Sequence, residues 1–203
     1  MRVLLVHGLG RTAASLRSLR RSLKAAGHEP ELFSYFAFAQ PYESIRTRLV
    51  ARLGRMTDAG PVGLIGHSLG GLLLRHALPD VPALRVHRLI MLGTPNRPPR
   101  RARIAMRWLP WRVFARSCGE LLATPEAYAA IPRPAVPYTL VAGTAGLRLL
   151  SAPFGDELHD GFVAVSETRI DDRDEPVLLP VNHTFMMNDE RLQALIVEIL
   201  ATT

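Results

Sequence analysis

Short apolar runs alternate with amphipathic segments along the 203-residue sequence, and this alternation limits the possible folds more than any other feature. Continuous apolar strands separated by helices are typical of a mostly parallel sheet that is covered by helices on both faces. The pattern therefore predicts an α/β protein with about six strands. We expect these strands at residues 2–6, 31–35, 62–65, 87–92, 137–142 and 177–181.

Leucines recur at helical spacing between the predicted strands. Leu16, Leu19 and Leu23 share one face of the first predicted helix, with arginines between them. Thr12 is suited to cap the start of this helix, and Gly27 is suited to end it. The same spacing predicts further helices at residues 45–56, 69–78 and after residue 189.

Length and composition favour one domain, spanning residues 1–203. Hydrophobic residues make up 48% of the chain, which excludes a disordered protein, and no apolar stretch is long enough to span a membrane. The N-terminal apolar run is too short for a signal peptide, and Cys118 is the single cysteine. We therefore expect a cytoplasmic protein.

The formal net charge is +7, and all 25 basic residues except Lys24 are arginines. These arginines are spread along the chain, so we expect no nucleic-acid partner. Residues 97–117 are a local exception, because they hold seven arginines.

The sequence Gly-His-Ser-Leu-Gly at residues 66–70 places Ser68 between a predicted strand and a predicted helix. A chain that reverses so tightly forces its central serine into a strained conformation, and nearby glycines remove side chains that would clash. The serine then lies at a helix N-terminus, where free N–H groups favour developing negative charge. This context predicts a nucleophilic serine; a glycine-rich packing turn is the simpler alternative.

The sequence resembles the α/β-hydrolase superfamily, and within it the small lipase-like serine esterases. The resemblance implies a minimal α/β-hydrolase fold, whose sheet lacks the family's first antiparallel strands. The segments that carry it occur in the family's order: LLVHGLG (4–10), LIGHSLGG (64–71), IMLGTPN (90–96), HDGFVAVSE (159–167) and PVNHTF (180–185).

In this family the catalytic residues follow the order serine, acid, histidine along the chain. Only His159 and His183 come late enough, and the resemblance places the catalytic histidine at His183. Asp160 lies in a segment that resembles the one carrying the acid, and Asp156 is the alternative. The acidic cluster at residues 171–175 is most simply a solvated loop.

The resemblance also implies that the backbone N–H groups of Leu9 and Leu69 form an oxyanion hole. Ser68 would attack an acyl carbonyl while His183 takes its proton, and water would release the acyl group. No metal or organic cofactor is required. The expected substrate is a small-molecule acyl ester or lipid with an apolar acid portion.

Three alternatives to a carboxylesterase stay open. A thioesterase, amidase or acyltransferase would use the same triad. A catalytically silent interaction protein would keep the scaffold alone. The basic insertion also suggests peripheral contact with an anionic membrane surface. Acyl chain length, alcohol and oligomeric state are left open by the sequence.

Residues 97–136 are too long for a simple connection, and we interpret them as a helical cap-like insertion. Their proline-rich start and Pro110 favour two short helical pieces within residues 97–117. Trp108 and Trp111 would line a substrate pocket over Ser68, with the arginines solvated or facing anionic lipid. The alternative is an arginine-rich surface segment whose aromatic residues pack on the core.

Overall fold

Six parallel strands form one sheet in the order β2-β1-β3-β4-β5-β6. The computed structural model describes residues 1–105, 107, 118–119, 121–122, 124–147, 149 and 152–202. The prediction of about six strands in a mostly parallel sheet is confirmed, with ends that shift by two residues or fewer. The strands are β1 (Arg2–Val6), β2 (Glu29–Phe33), β3 (Val62–His67), β4 (Val86–Leu92), β5 (Tyr138–Gly143) and β6 (Val177–Leu179).

Seven α-helices lie among the described residues: α1 (Arg17–Ala25), α2 (Tyr42–Gly54), α3 (Leu69–Ala77), α4 (Arg100–Ala105), α5 (Pro125–Ala129), α6 (Val165–Thr168) and α7 (Glu190–Ala201). None of these helices is long and apolar enough to cross a membrane.

The start of the first helical segment differs from the prediction. A short 3-10 helix (Ala13–Leu16) precedes α1, and the Thr12 side chain makes no capping hydrogen bond. Instead the Ser15 hydroxyl donates to the Thr12 carbonyl oxygen at 2.8 Å. The prediction of a Thr12 cap was therefore wrong. Gly27 follows the helix at φ +82°, as expected for a glycine that ends it.

Apolar side chains from every second position of a strand reach the same face of the sheet. In β1, Val3 and Leu5 pack with α1 and α7, whereas Leu4 and Val6 pack with α2 and α3. All four side chains are fully buried. Burial on both faces explains why the strands read as continuous apolar runs.

The insertion at residues 97–136 is described only in part, and Trp108 and Trp111 lie outside the described residues. Helix α4 supplies one of the two expected helical pieces. Its first residue, Arg100, donates to Glu157 at 2.5 Å and to Glu167 at 2.8 Å. This arginine is therefore paired with the protein's own carboxylates, unlike the solvated or lipid-facing role expected from the sequence.

We predict that Asp189→Ala lowers the free energy of unfolding by about 1 kcal/mol, the usual cost of losing an N-cap. The Asp189 side chain accepts hydrogen bonds from the Arg191 and Leu192 N–H groups, which α7 leaves without helical partners. Urea denaturation measures the change. Glu190→Ala is the matched control, because it removes the same charge from the first turn without removing the cap. Equal losses in the two variants would contradict a capping role.

Candidate active site

Ser68 occupies a sharp turn between β3 and α3. Its φ of 52° and ψ of −122° make it the one non-glycine residue with positive φ in the part of the chain that the structure describes. Such a conformation costs on the order of 1–3 kcal/mol and persists only where the surroundings enforce it. The Ser68 N–H donates to the Leu92 carbonyl oxygen at 2.9 Å, which fixes the turn to β4.

The glycines around Ser68 allow the turn and the following helix to pack closely. A Cβ atom on Gly66 would lie 2.4 Å from the Gly71 nitrogen, and one on Gly71 would lie 2.0 Å from Thr94 Oγ1. Both distances are shorter than any real contact of a Cβ atom. The first turn of α3 therefore lies directly against β3 and the segment after β4.

Asp160 and His183 form a buried pair. The two atoms Asp160 Oδ2 and His183 Nδ1 lie 2.6 Å apart, and the aspartate is 2% exposed. The other carboxylate oxygen accepts the N–H groups of Phe162 at 2.9 Å and Val163 at 2.8 Å. These bonds fix the carboxylate with one oxygen on the imidazole ring.

The other candidate carboxylates lie elsewhere. Asp156 is exposed at the surface. Asp171 forms an ion pair with Arg133. Asp174, in the same acidic cluster, is buried and accepts from Arg133 and Tyr138, so this cluster is more ordered than a solvated loop.

Gly93, which the sequence analysis did not single out, borders the Asp160–His183 pair. It follows β4 with φ +53°, and a Cβ atom there would lie 3.0 Å from Asp160 Oδ2 and 3.1 Å from His183 Nδ1. A side chain would therefore press on the hydrogen bond between them. The glycine directly after a predicted strand was the sequence signal for this position.

A cavity of about 490 Å³ brings the main candidates together. The cavity is lined by Ser68, His183 and Leu9. Asp160 is hydrogen-bonded to the His183 ring, and Leu69 follows Ser68 as the first residue of α3. The start of the insertion contributes to the wall. Among the described residues, those of the insertion and of the segment just before it that line the cavity are Pro95, Pro99, Arg101, Ala102, Ala105 and Leu122.

His67 is a second histidine in the interior of the site. Its Nε2 lies 3.0 Å from the His183 carbonyl oxygen, and its side chain is buried. Burial, and next the proximity of His183, hold the pKa of His67 well below its usual value. The ring is therefore neutral, with Nε2–H donating to the backbone of His183. Among the described residues, no cluster of His, Cys, Asp or Glu side chains is suited to hold a metal ion.

We predict that this buried neutral ring makes the protein less stable below pH 6.5. The unfolded chain takes up a proton at His67 near pH 6.5, whereas the folded protein takes it up only at lower pH. Stability is therefore fully present above pH 6.5 and falls as the pH decreases, by about 1.4 kcal/mol per pH unit for one such group. Other histidines with lowered pKa values, such as His7, add to the same trend.

Urea denaturation of wild type and His67→Gln at several pH values between 5 and 8 tests this origin. The glutamine variant should show a shallower loss of stability below pH 6.5. Parallel pH curves for the two proteins would show that His67 does not contribute.

The chain belongs to the alpha/beta hydrolase family, which residues 3–199 match. A minimal α/β-hydrolase fold was the expectation from the sequence, and it is confirmed. No curated protein matches the chain.

Solved structures share the fold at low sequence identity. A Bacillus licheniformis lipase in its propeptide form has a TM-score of 0.76 and 16% identity over 100% of this chain and 50% of the lipase. The chain thus spans half the length of that relative. An extracellular α/β-hydrolase from a Paenibacillus species has a TM-score of 0.61 and 15% identity over 98% of this chain and 97% of its own.

A thioesterase of the prodiginine biosynthetic pathway in Streptomyces coelicolor is also similar. It has a TM-score of 0.60 and 16% identity over 98% of this chain and 88% of its own. At these identities the likeness shows the fold alone.

Proposed function

We propose that the protein is a serine hydrolase that cleaves carboxylic esters through an acyl-enzyme intermediate. One observation carries the proposal: strained Ser68 lines the same cavity as His183, whose Nδ1 is bonded to buried Asp160. Nucleophile, base and orienting carboxylate are the three parts that such a mechanism needs.

In the first half-reaction, Ser68 Oγ attacks the acyl carbonyl carbon and His183 Nε2 takes its proton. Asp160 accepts a hydrogen bond from Nδ1–H, which selects the tautomer with a free Nε2 and stabilises the imidazolium that forms. The Leu9 and Leu69 N–H groups are the proposed oxyanion donors, each worth about 3–4 kcal/mol in the transition state.

The first tetrahedral intermediate collapses when His183 gives its proton to the leaving alcohol, and this completes the acyl-enzyme. In the second half-reaction, His183 takes a proton from water, which attacks the acyl-enzyme carbonyl. Collapse of the second tetrahedral intermediate releases the acid, and His183 returns the proton to Ser68 Oγ. This chemistry needs no metal and no organic cofactor.

The cavity wall favours an acyl group with an apolar portion. Apolar surface of the cavity wall comes from Phe38, Phe162, Ala102, Ala105 and Leu122. The described start of the insertion lines the same cavity as Ser68, which supports its interpretation as a cap. Three expectations from the sequence remain predictions. They are the roles of Trp108 and Trp111 as pocket residues, contact with an anionic membrane surface, and a cytoplasmic location.

We predict that Ser68→Ala abolishes ester hydrolysis while the fold persists. Loss of the nucleophile lowers kcat on the order of 10⁶-fold in a serine protease. Release of 4-nitrophenolate from esters of increasing chain length measures turnover. A fluorophosphonate probe should add its mass to Ser68 in the wild type and should not label Ser68→Ala. Exposed Ser34 provides the control variant Ser34→Ala. Turnover by Ser68→Ala close to that of Ser34→Ala would end the assignment.

We predict that Asp160→Asn lowers kcat on the order of 10⁴-fold, because an amide at this position favours the wrong tautomer of the histidine. Asp156→Asn, which makes the same change four residues earlier at an exposed position, should retain wild-type kcat. Steady-state kinetics on one ester compares the two variants. A larger loss in Asp156→Asn would move the acid to the alternative residue.

A further inference from the structure

Arg11 is the charged residue that directly follows the turn carrying Leu9 and Gly10. Gly10 has φ +67°, and the Arg11 N–H closes the turn on the Gly8 carbonyl oxygen at 3.3 Å. The half-buried side chain lines the same cavity as Ser68 and His183. A guanidinium group therefore forms part of the wall where a substrate would bind.

The known contacts of Arg11 use only a fraction of its hydrogen-bonding capacity. Its Nη2 donates to the Thr184 carbonyl oxygen at 3.0 Å, and its Cζ lies 5.8 Å from the centre of the Phe185 ring. A guanidinium group has five N–H donors. Within the described part of the chain, no carboxylate forms an ion pair with Arg11.

The charged side chains among the described residues that line the cavity are all positive. This described lining contains the two arginines Arg11 and Arg101 and no acidic side chain. The nearby Asp160 is buried and already bonded to His183 and to two backbone N–H groups. A half-buried guanidinium group that no carboxylate pairs with is a favourable partner for an anion, because hydrogen bonds between charged groups are stronger than those between neutral groups.

We propose that Arg11 binds an anionic oxygen group, a carboxylate or a phosphate, on the substrate. The inference rests on the proposed ester hydrolysis and narrows its substrate class to esters that carry such a group. A guanidinium group matches both anions because its N–H groups donate in pairs to two oxygens. The apolar part of the wall then holds the remainder of the acyl chain.

Two pairs of esters test the proposal and distinguish the two anions. 4-Nitrophenyl hydrogen glutarate carries a carboxylate, and 4-nitrophenyl valerate is its neutral match. 1-Butyrylglycerol 3-phosphate carries a phosphate, and 1-butyrylglycerol is its neutral match. Nitrophenolate release and pH-stat titration give kcat and KM for each ester in the wild type, Arg11→Gln and Arg11→Lys.

The wild type should prefer the anionic member of at least one pair. In Arg11→Gln this preference in kcat/KM should fall about tenfold, the size expected for a lost charged hydrogen bond. The loss should come from KM, and Arg11→Lys should retain part of the preference. The control is Arg21→Gln on the exposed surface of α1, which changes the net charge equally and should keep the full preference.

Two results would overturn the proposal. One is a wild type with no preference for either anionic ester. The other is an equal loss on charged and neutral esters in Arg11→Gln, which would show that Arg11 only holds Thr184 and the neighbouring His183.

A binding measurement separates this inference from the proposed hydrolysis. NMR titration of the Ser68→Ala protein with monomethyl glutarate should show binding that weakens about tenfold on adding Arg11→Gln. Arginine-dependent binding without turnover of any ester would refute the hydrolysis and retain the anion site. Turnover of neutral esters without arginine-dependent binding would support the hydrolysis and refute the anion site.

Discussion

The positive φ at Ser68 is the constraint on which the arrangement of the site depends. The turn is held by hydrogen bonds at both ends, since the Ser68 N–H donates to Leu92 and the Ser68 carbonyl oxygen accepts from the Gly71 N–H at 3.0 Å. Its strain is opposed by the packing of α3 against a sheet that is buried on both faces. A β3 strand between two parallel neighbours cannot shift without disturbing both of them.

Residues far apart in sequence meet at this turn because parallel strands bring their carboxyl ends to one edge of the sheet. The loop with Asp160 and the loop with His183 are also tied together through their backbones. The His183 N–H donates to the Asp160 carbonyl oxygen at 2.9 Å, and His67 donates to the His183 carbonyl oxygen. The residue before the nucleophile thus fixes the segment that carries the proposed base.

The strands were predictable as short continuous apolar runs, and α1, α2, α3 and α7 were predictable from apolar residues at helical spacing. The start of α7 after residue 189 was also predicted, and the structure adds that the Asp189 side chain caps this helix. The same reasoning failed at Thr12, where a 3-10 turn replaces the start of an α-helix and the side chain has no suitable donor. Local sequence alone does not determine whether a segment begins as a 3-10 helix or as an α-helix, because tertiary packing also decides this.

Candidate residues that the structure brings together could be selected where a short motif or the chain order carried the information, as for Ser68 and His183. Gly93 and His67 were missed because their roles depend on contacts across the sheet. Gly93 makes room for atoms that lie 67 and 90 residues further along the chain. Asp160 and Asp156 differ in burial, since Asp160 is buried and Asp156 is exposed. Charge patterns in the sequence do not reveal this difference.

The arginines of the insertion show why local charge is a poor guide to a partner. Arg100 is bound by Glu157 and Glu167, on either side of the loop that carries Asp160. Arg97 donates to Asp172, and Arg101 donates to the Gly161 carbonyl oxygen beside Asp160. Arg100 and Arg101 thus bind the segment around Asp160, and Arg97 binds the acidic cluster that follows it. Direct hydrogen bonds therefore join the first residues of α4, which contribute to the cavity wall, to the loop that carries the proposed acid.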